Sequence, residues 1–143
     1  MPKMMKVSEA ASLALHAMVL LASNPEKVFS TREIASVLDA SEAHLSKVLQ
    51  RLARCGLVKS NRGPKGGFTL AKSNERITLL EVYEVIEGPL LASNCLLDTP
   101  LCGGEKCIFG RLLKDAGERF REYMASTKLS EVSDVLKGEE TYA

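Results

Sequence analysis

Three cysteines, Cys95, Cys102 and Cys107, stand in a Cys-x6-Cys-x4-Cys spacing within 13 residues, beside the pair Gly103-Gly104. The thiolate is the metal-binding and redox-active form of this side chain, and it takes soft partners. Structural zinc sites join close Cys-x2–4-Cys knuckles to a second pair of ligands. Here one trio stands without such a knuckle and without a nearby His. Three thiolates on an irregular, accessible loop suit a soft metal or an iron–sulfur cluster whose fourth ligand comes from elsewhere in the fold. A redox disulfide, or inert thiols, are the competing readings of the same spacing. Cys55 differs: it directly precedes Gly56 at an expected helix end and is read as small core filler.

Elements that could position such a loop are visible on both sides of it. Upstream, residues 8–24 form an expected helix that is apolar on most sides and ends at Asn24-Pro25. Ser30-Thr-Arg-Glu33 is a capping box that opens a short second helix. Asp39-Ala40 makes a tight turn, and Ser41 caps a third helix with Leu45, Val48, Leu49 and Leu52 in one apolar stripe. The opposite face of that helix carries His44, Lys47, Gln50, Arg51 and Arg54. Two short β-prone runs follow, around the tip Arg62-Gly-Pro-Lys-Gly-Gly67, and predict a basic β-hairpin. Thr78 with Glu81 is a second capping box, and Gly88-Pro89 closes its helix just before the cysteines. Downstream, Ile108, Phe109, Leu112, Leu113, Ala116, Phe120, Tyr123 and Met124 keep a three-to-four spacing over five turns. A long helix with such a stripe on a small domain needs a partner surface, and two-fold homodimerisation is the simplest source.

The order helix, capped helix, tight turn, capped basic helix, basic hairpin is that of a winged helix-turn-helix. A helix that reads the major groove needs a polar face toward the bases and an apolar face on its own domain. Ser41, Ala43, His44, Ser46 and Lys47 lie on the first turns of that helix. The hairpin tip needs glycine for close approach, as at Gly63, and a long cation for the narrow groove, as Arg62 provides. Arg51, Lys59 and Lys65 are placed for phosphates. Charge agrees: residues 1–72 hold 11 Lys/Arg and 5 Asp/Glu, residues 73–143 hold 8 and 13, and the chain nets +1. Seven of the basic residues against one acid fall within 41–72. Such a local surplus marks a face for a polyanion.

These residues resemble a family of bacterial winged-helix transcription regulators, the IscR, NsrR, RirA and CymR type. The resemblance runs from about Lys6 to Val135. It is most specific in Gly56-Leu-Val, Arg62-Gly-Pro-Lys-Gly-Gly-Phe68, Ile77-Thr-Leu-Leu-Glu-Val82 and the cysteine trio. It implies a homodimer with a long dimerisation helix, bound to a dyad-symmetric double-stranded DNA operator, with Arg62 in the minor groove. It also implies that Cys95, Cys102 and Cys107 hold a cluster, 2Fe–2S ahead of 4Fe–4S, sensing iron, redox state or nitric oxide. Members without a cluster lack the trio. Two departures concern the fourth ligand. Gly110 stands where some members carry a His, and Ser12 stands where others carry a ligating acid on the first helix. His16 lies one turn beyond Ser12 on the same helical face and is the expected fourth ligand, reaching across the dimer, with Glu9 as a weaker candidate. A histidine packed in the core, or capped by a partner carbonyl, is the alternative for His16.

The expected fold is therefore mainly α with a small β-hairpin wing. Residues 1–88 form the DNA-binding domain, 89–107 the cysteine loop, and 108–143 the dimerisation helix and C-terminal segment. With 45% hydrophobic and 26% charged residues in 143, the chain has the composition of one folded domain with an appended element, not of a disordered one. No apolar run approaches the ~18–20 residues of a membrane span. The N-terminus lacks the pattern of a secretory leader, so the expected compartment is the cytoplasm. No nucleophile–base pair, phosphate loop or carboxylate dyad appears, and no enzyme is expected. A cluster-free thiol-redox regulator on the same scaffold is the competing function.

Overall fold

The computed structural model describes residues 7–90 and 107–136. Helix α1 (Glu9–Ser23) is capped by Ser8, whose hydroxyl oxygen accepts the Ala11 N–H. The same hydroxyl donates to the Glu87 carboxylate. Helix α1 is the central element: Leu13, Ala14, Ala17, Met18 and Leu21 are buried, and helices from both ends of the chain pack around it. Ser30 and Glu33 form the expected capping box of α2 (Thr31–Leu38). The bonds of that box, with Lys27 beside it, hold the Glu33 carboxyl below its ordinary range.

Between α2 and α3 (Glu42–Arg54) the chain reverses in three residues. Asp39 makes this reversal at φ 51° and ψ 50°, the left-handed region. It is the one non-glycine residue among those described with positive φ. Its neighbour Ala40 donates back to the Ala35 carbonyl at 2.9 Å, so the helix end is satisfied although the residue is not Gly. An L side chain costs about 1–2 kcal/mol in that region. Asp39→Gly is accordingly expected to leave stability unchanged or raise it by up to about 1 kcal/mol, whereas Asp39→Val lowers it; thermal unfolding of the two variants measures the contrast.

Helix α3 ends where Cys55 corrects the sequence reading. Cys55 is exposed, not core filler. Gly56 turns left-handed at φ 77°, its N–H donates to the Ala53 carbonyl, and the Leu57 N–H donates to the Leu52 carbonyl at 3.0 Å. This is a Schellman end, which brings the residue after the glycine back onto the helix. Leu57 therefore takes the core position and Cys55 is turned outward.

Strands β1 (Val58–Asn61) and β2 (Gly67–Leu70) pair antiparallel, with Val58 opposite Leu70 and Asn61 opposite Gly67. Phe29 adds a one-residue bridge to Phe68, with N–H···O distances of 3.1 and 2.8 Å, so the hairpin is pinned to the segment just before α2. A 3-10 turn (Asn74–Arg76) leads to α4 (Leu79–Glu87), whose Thr78–Glu81 capping box forms as expected.

The stripe beginning at Ile108 divides into two parts. Residues 107–111 form turns, with Gly110 at φ 60°, and helix α5 spans Leu112–Ser126. It packs on α4 through Met124, and Phe120 meets the Tyr83 ring edge-on at 5.9 Å. Burial, with the Glu87 carboxylate nearby, pushes the Tyr83 phenol up. Much of α5 is left bare: Leu112 is 60% exposed, Tyr123 58%, and Ile108 ahead of them 93%. Helix α6 (Leu129–Val132) returns to the first core, where Leu129 is fully buried. Among the described residues no helix is long and apolar enough to cross a membrane.

Candidate functional site

Helix α3 presents the polar face that its sequence pattern requires. Leu45, Val48, Leu49 and Leu52 are buried, which turns Ala43 and Lys47 outward. Ser41 is exposed and its hydroxyl oxygen accepts the His44 N–H at 3.2 Å, leaving the helix N-terminus open to solvent. His44 and Ser46 are half-buried. The His44 ring leans toward α1, with Nδ1 3.8 Å from Glu9 Oε1. Glu9, the weaker ligand candidate, thus stands beside the helix-turn-helix.

The wing tip is exposed from Arg62 to Lys65, and Gly63 adopts φ 113°, accessible to glycine alone at low cost. The Gly66 N–H closes the tip on the Gly63 carbonyl at 2.9 Å. Lys59 is exposed on β1. Among the described residues no carboxylate lies within ion-pair reach of Lys47, Lys59, Arg62 or Lys65. Among the described residues nothing compensates their charge, as a phosphate-binding surface needs.

Arg51 is placed differently from the expectation. One guanidinium nitrogen, Nη2, donates to the Val85 carbonyl at 3.1 Å and to the Ile86 carbonyl at 3.0 Å. A cation there satisfies carbonyls that the last turn of α4 leaves without partners. The sequence placed Arg51 for phosphates; the structure ties one of its nitrogens to α4 instead, while the side chain stays exposed.

Of the cysteine trio, Cys95 and Cys102 lie outside the described residues. Cys107 is half-buried at the start of the turn before α5, and its sulfur accepts the Phe109 N–H at 3.4 Å. The thiolate is the form of this side chain that binds a soft metal. His16 is exposed on α1, not packed in the core, and a carbonyl caps its ring, the other half of the non-ligand alternative. Its Nδ1 is 2.7 Å from the Ser12 carbonyl oxygen. A carbonyl only accepts, so Nδ1 carries the hydrogen, and in the neutral ring Nε2 holds the free lone pair. Metal-bound imidazoles are commonly oriented in this way. His16 borders an open apolar groove of about 220 Å³ formed with Leu15, Val19, Leu79, Val132, Val135 and Leu136. Among the described residues no cluster of His, Cys, Asp and Glu suited to a metal ion forms within one chain. The donor chemistry of Cys107 and His16 fits a soft metal centre.

A further junction escaped the sequence reading. Leu90, buried at the end of the described segment, donates its N–H to Glu84 Oε2 at 2.7 Å and accepts Arg121 Nη1 at its carbonyl at 2.8 Å. Gly88-Pro89 signalled only that the helix stops, not that its end is a meeting point of three elements.

Comparison with known proteins agrees with this architecture. Residues 7–134 match the Rrf2 family, described as iron-dependent transcriptional regulators. The helix-turn-helix transcriptional repressor NsrR of Streptomyces coelicolor is 30% identical over 81% of this chain and 80% of its own length. The regulator BadM of Rhodopseudomonas palustris is 39% identical over 58% of this chain, a match that spans 53% of that protein. The structure of CymR, the global cysteine regulator of B. subtilis, superposes with a TM-score of 0.76 at 27% identity, covering 92% of this chain and 98% of that one. With the helix-turn-helix and wing on one side and the family match over nearly the whole chain on the other, the protein belongs to the Rrf2 family of transcriptional regulators, not to the enzymes.

Proposed function

We propose that this protein acts as a homodimer on a dyad-symmetric DNA operator and that an iron–sulfur cluster, of the 2Fe–2S type, controls its binding. The observation that carries the DNA part is the run of uncompensated cations along α3 and the wing, beside the open N-terminus of α3. Ser41, Ala43, His44, Ser46 and Lys47 face the major groove, Arg62 and Gly63 enter the minor groove, and Lys59 and Lys65 hold phosphates. The exposed Leu112, Tyr123 and Ile108 support a second copy packed along α5.

Cys95, Cys102 and Cys107 would hold the cluster, with the partner subunit's His16 as fourth ligand through Nε2. The cluster supplies iron–sulfur bonds that iron loss, oxidants or nitric oxide break. Cys107 ties the turn before α5 to the loop preceding it, so its release loosens the element on which the two subunits meet. Two half-sites must be met at once, and a small change in their relative setting alters affinity strongly.

Protein purified without oxygen and assayed for iron, sulfide and visible absorption tests this reading. Coloured protein with matched iron and sulfide, both lost in Cys102→Ala, supports it. Colourless protein after anaerobic reconstitution sinks it and favours a thiol-redox regulator, the second reading, which the likeness to a cysteine regulator supports. His16→Ala is expected to shift the cluster absorption or speed its loss; an unaltered spectrum and lifetime would return His16 to the groove as a packing residue.

A further inference from the structure

The recognition helix, the end of α4 and the entrance to the cysteine loop meet at one place. Arg51 projects from the C-terminal half of α3, and its Nη2 bonds both the Val85 and Ile86 carbonyls. Two residues further along the chain the Gly88 N–H closes α4 on the Glu84 carbonyl at 2.9 Å. The Glu84 carboxylate then holds the Leu90 N–H, and Arg121 of α5 holds the Leu90 carbonyl. Leu90 is buried with Ala11, Leu80, Tyr83 and Met124, so its side chain is fixed as well as its backbone. Residue 91 begins the stretch that carries Cys95 and Cys102. A pull on that stretch reaches Leu90 first, then the last turn of α4, then Arg51.

Bonds to the last carbonyls of a helix last only while that turn keeps its geometry. A guanidinium bridging two successive carbonyls is sensitive to both, because displacing either oxygen breaks the fork. Arg51 is therefore a contact between the end of α4, which leads on to residue 91, and the recognition helix, and a shift of that end makes or breaks it. We infer that Arg51 is a positioning residue which couples the state of the cysteine loop to the setting of α3, an assignment that rests on the control of that loop proposed above. Glu84 and Arg121 are the loop side of the same clamp. A phosphate contact by Arg51 is the opposing account of the same exposed cation.

The two accounts differ in which quantity changes. Full-length wild-type protein, Arg51→Ala and Glu84→Ala are titrated with a duplex that the wild-type protein has selected from a random-sequence pool. Each is measured with the cluster loaded and after chelation of iron. Coupling energies of this kind correspond to roughly 5- to 150-fold between states. In Arg51→Ala the ratio is expected to fall to within about twofold of one, with the cluster absorption unchanged. In Glu84→Ala the ratio falls too, and loss of an acid cannot be loss of a phosphate contact. In cluster-free Arg51→Ala, hydrogen exchange at the Gly88 and Leu90 amides is expected to quicken, a readout that needs neither DNA nor iron.

A uniform loss of affinity in both states, with the wild-type ratio kept and the salt dependence lowered by about one phosphate, would make Arg51 a phosphate contact and overturn the clamp. Unchanged exchange at Gly88 and Leu90 would overturn it independently. Wild-type protein that takes up no cluster removes the reading beneath it, and reduced against diamide-oxidised protein then supplies the two states. A state-dependent wild type whose ratio survives Arg51→Ala under those conditions again overturns the clamp.

Discussion

Arg62→Ala is expected to weaken binding to a selected duplex by about 1–3 kcal/mol, roughly 5- to 150-fold. Three features of the tip support an effect of that size. Arg62 follows directly on the last paired residue of β1, so its backbone is fixed by the hairpin. It is exposed, and among the described residues no carboxylate competes for its guanidinium. Gly63 beside it, at φ 113°, lets the backbone approach the groove without a Cβ in the way. A narrow minor groove concentrates negative potential, and a long planar cation gains most there. Lys65→Ala is the contrast. A lysine on phosphate weakens all sequences alike and lowers the salt slope by about one, while loss of Arg62 also relaxes preference among A·T-rich flanks. Measuring both variants across salt and across flanking sequences separates the roles. Equal, sequence-blind losses for the two would place Arg62 on the backbone and take it out of the groove.

Local chemistry carried most of the fold into view. The capping boxes Ser30–Glu33 and Thr78–Glu81 formed at their expected places because each is complete within four residues and needs no tertiary partner. The Leu45, Val48, Leu49 and Leu52 stripe was legible for the same reason: helical period alone decides which side is buried. The errors fell where an element ends or meets a distant one. Cys55 continued the helical pattern on paper, but the left-handed Gly56 sends Leu57 inward in its place. Ile108 and Phe109 continued the α5 stripe, yet Gly110 at φ 60° breaks the helix before Leu112. Arg51 stands among cations on a polar face, and nothing local shows that its partners are carbonyls 34 and 35 residues away. Spacing marked the cysteines as candidate ligands, with a redox disulfide or inert thiols as competing readings, whereas the tautomer of His16 required the position of the Ser12 carbonyl.

Gly67→Ala should do more damage than any other single methyl added to the wing. A Cβ at this position would lie 2.2 Å from the Phe29 carbonyl oxygen, 2.6 Å from its carbon and 2.9 Å from the Ser30 nitrogen. All three atoms are backbone, so no side chain can swing aside, and the strand itself must move. Overpacking of this kind costs typically about 1–3 kcal/mol and occasionally more. The strand that moves carries Phe68, whose two bonds to Phe29 pin the wing immediately ahead of the α2 cap. Binding should therefore fall together with stability, because the wing loses its setting relative to α3 as well as its anchor. Gly66→Ala is the control within the same loop. Its Cβ would meet the Asn61 and Gly63 carbonyls at 2.5 and 2.9 Å, backbone contacts at the end of β1 and in the tip that leave the Phe29 bridge untouched. That variant should lose DNA affinity and melt somewhat lower, but by less than Gly67→Ala, because the Phe29–Phe68 bonds are left in place. Gly67→Ala should lower both, and a Gly67→Ala protein that melts like wild type would mean that the wing does not need the Phe29 bridge to stay docked.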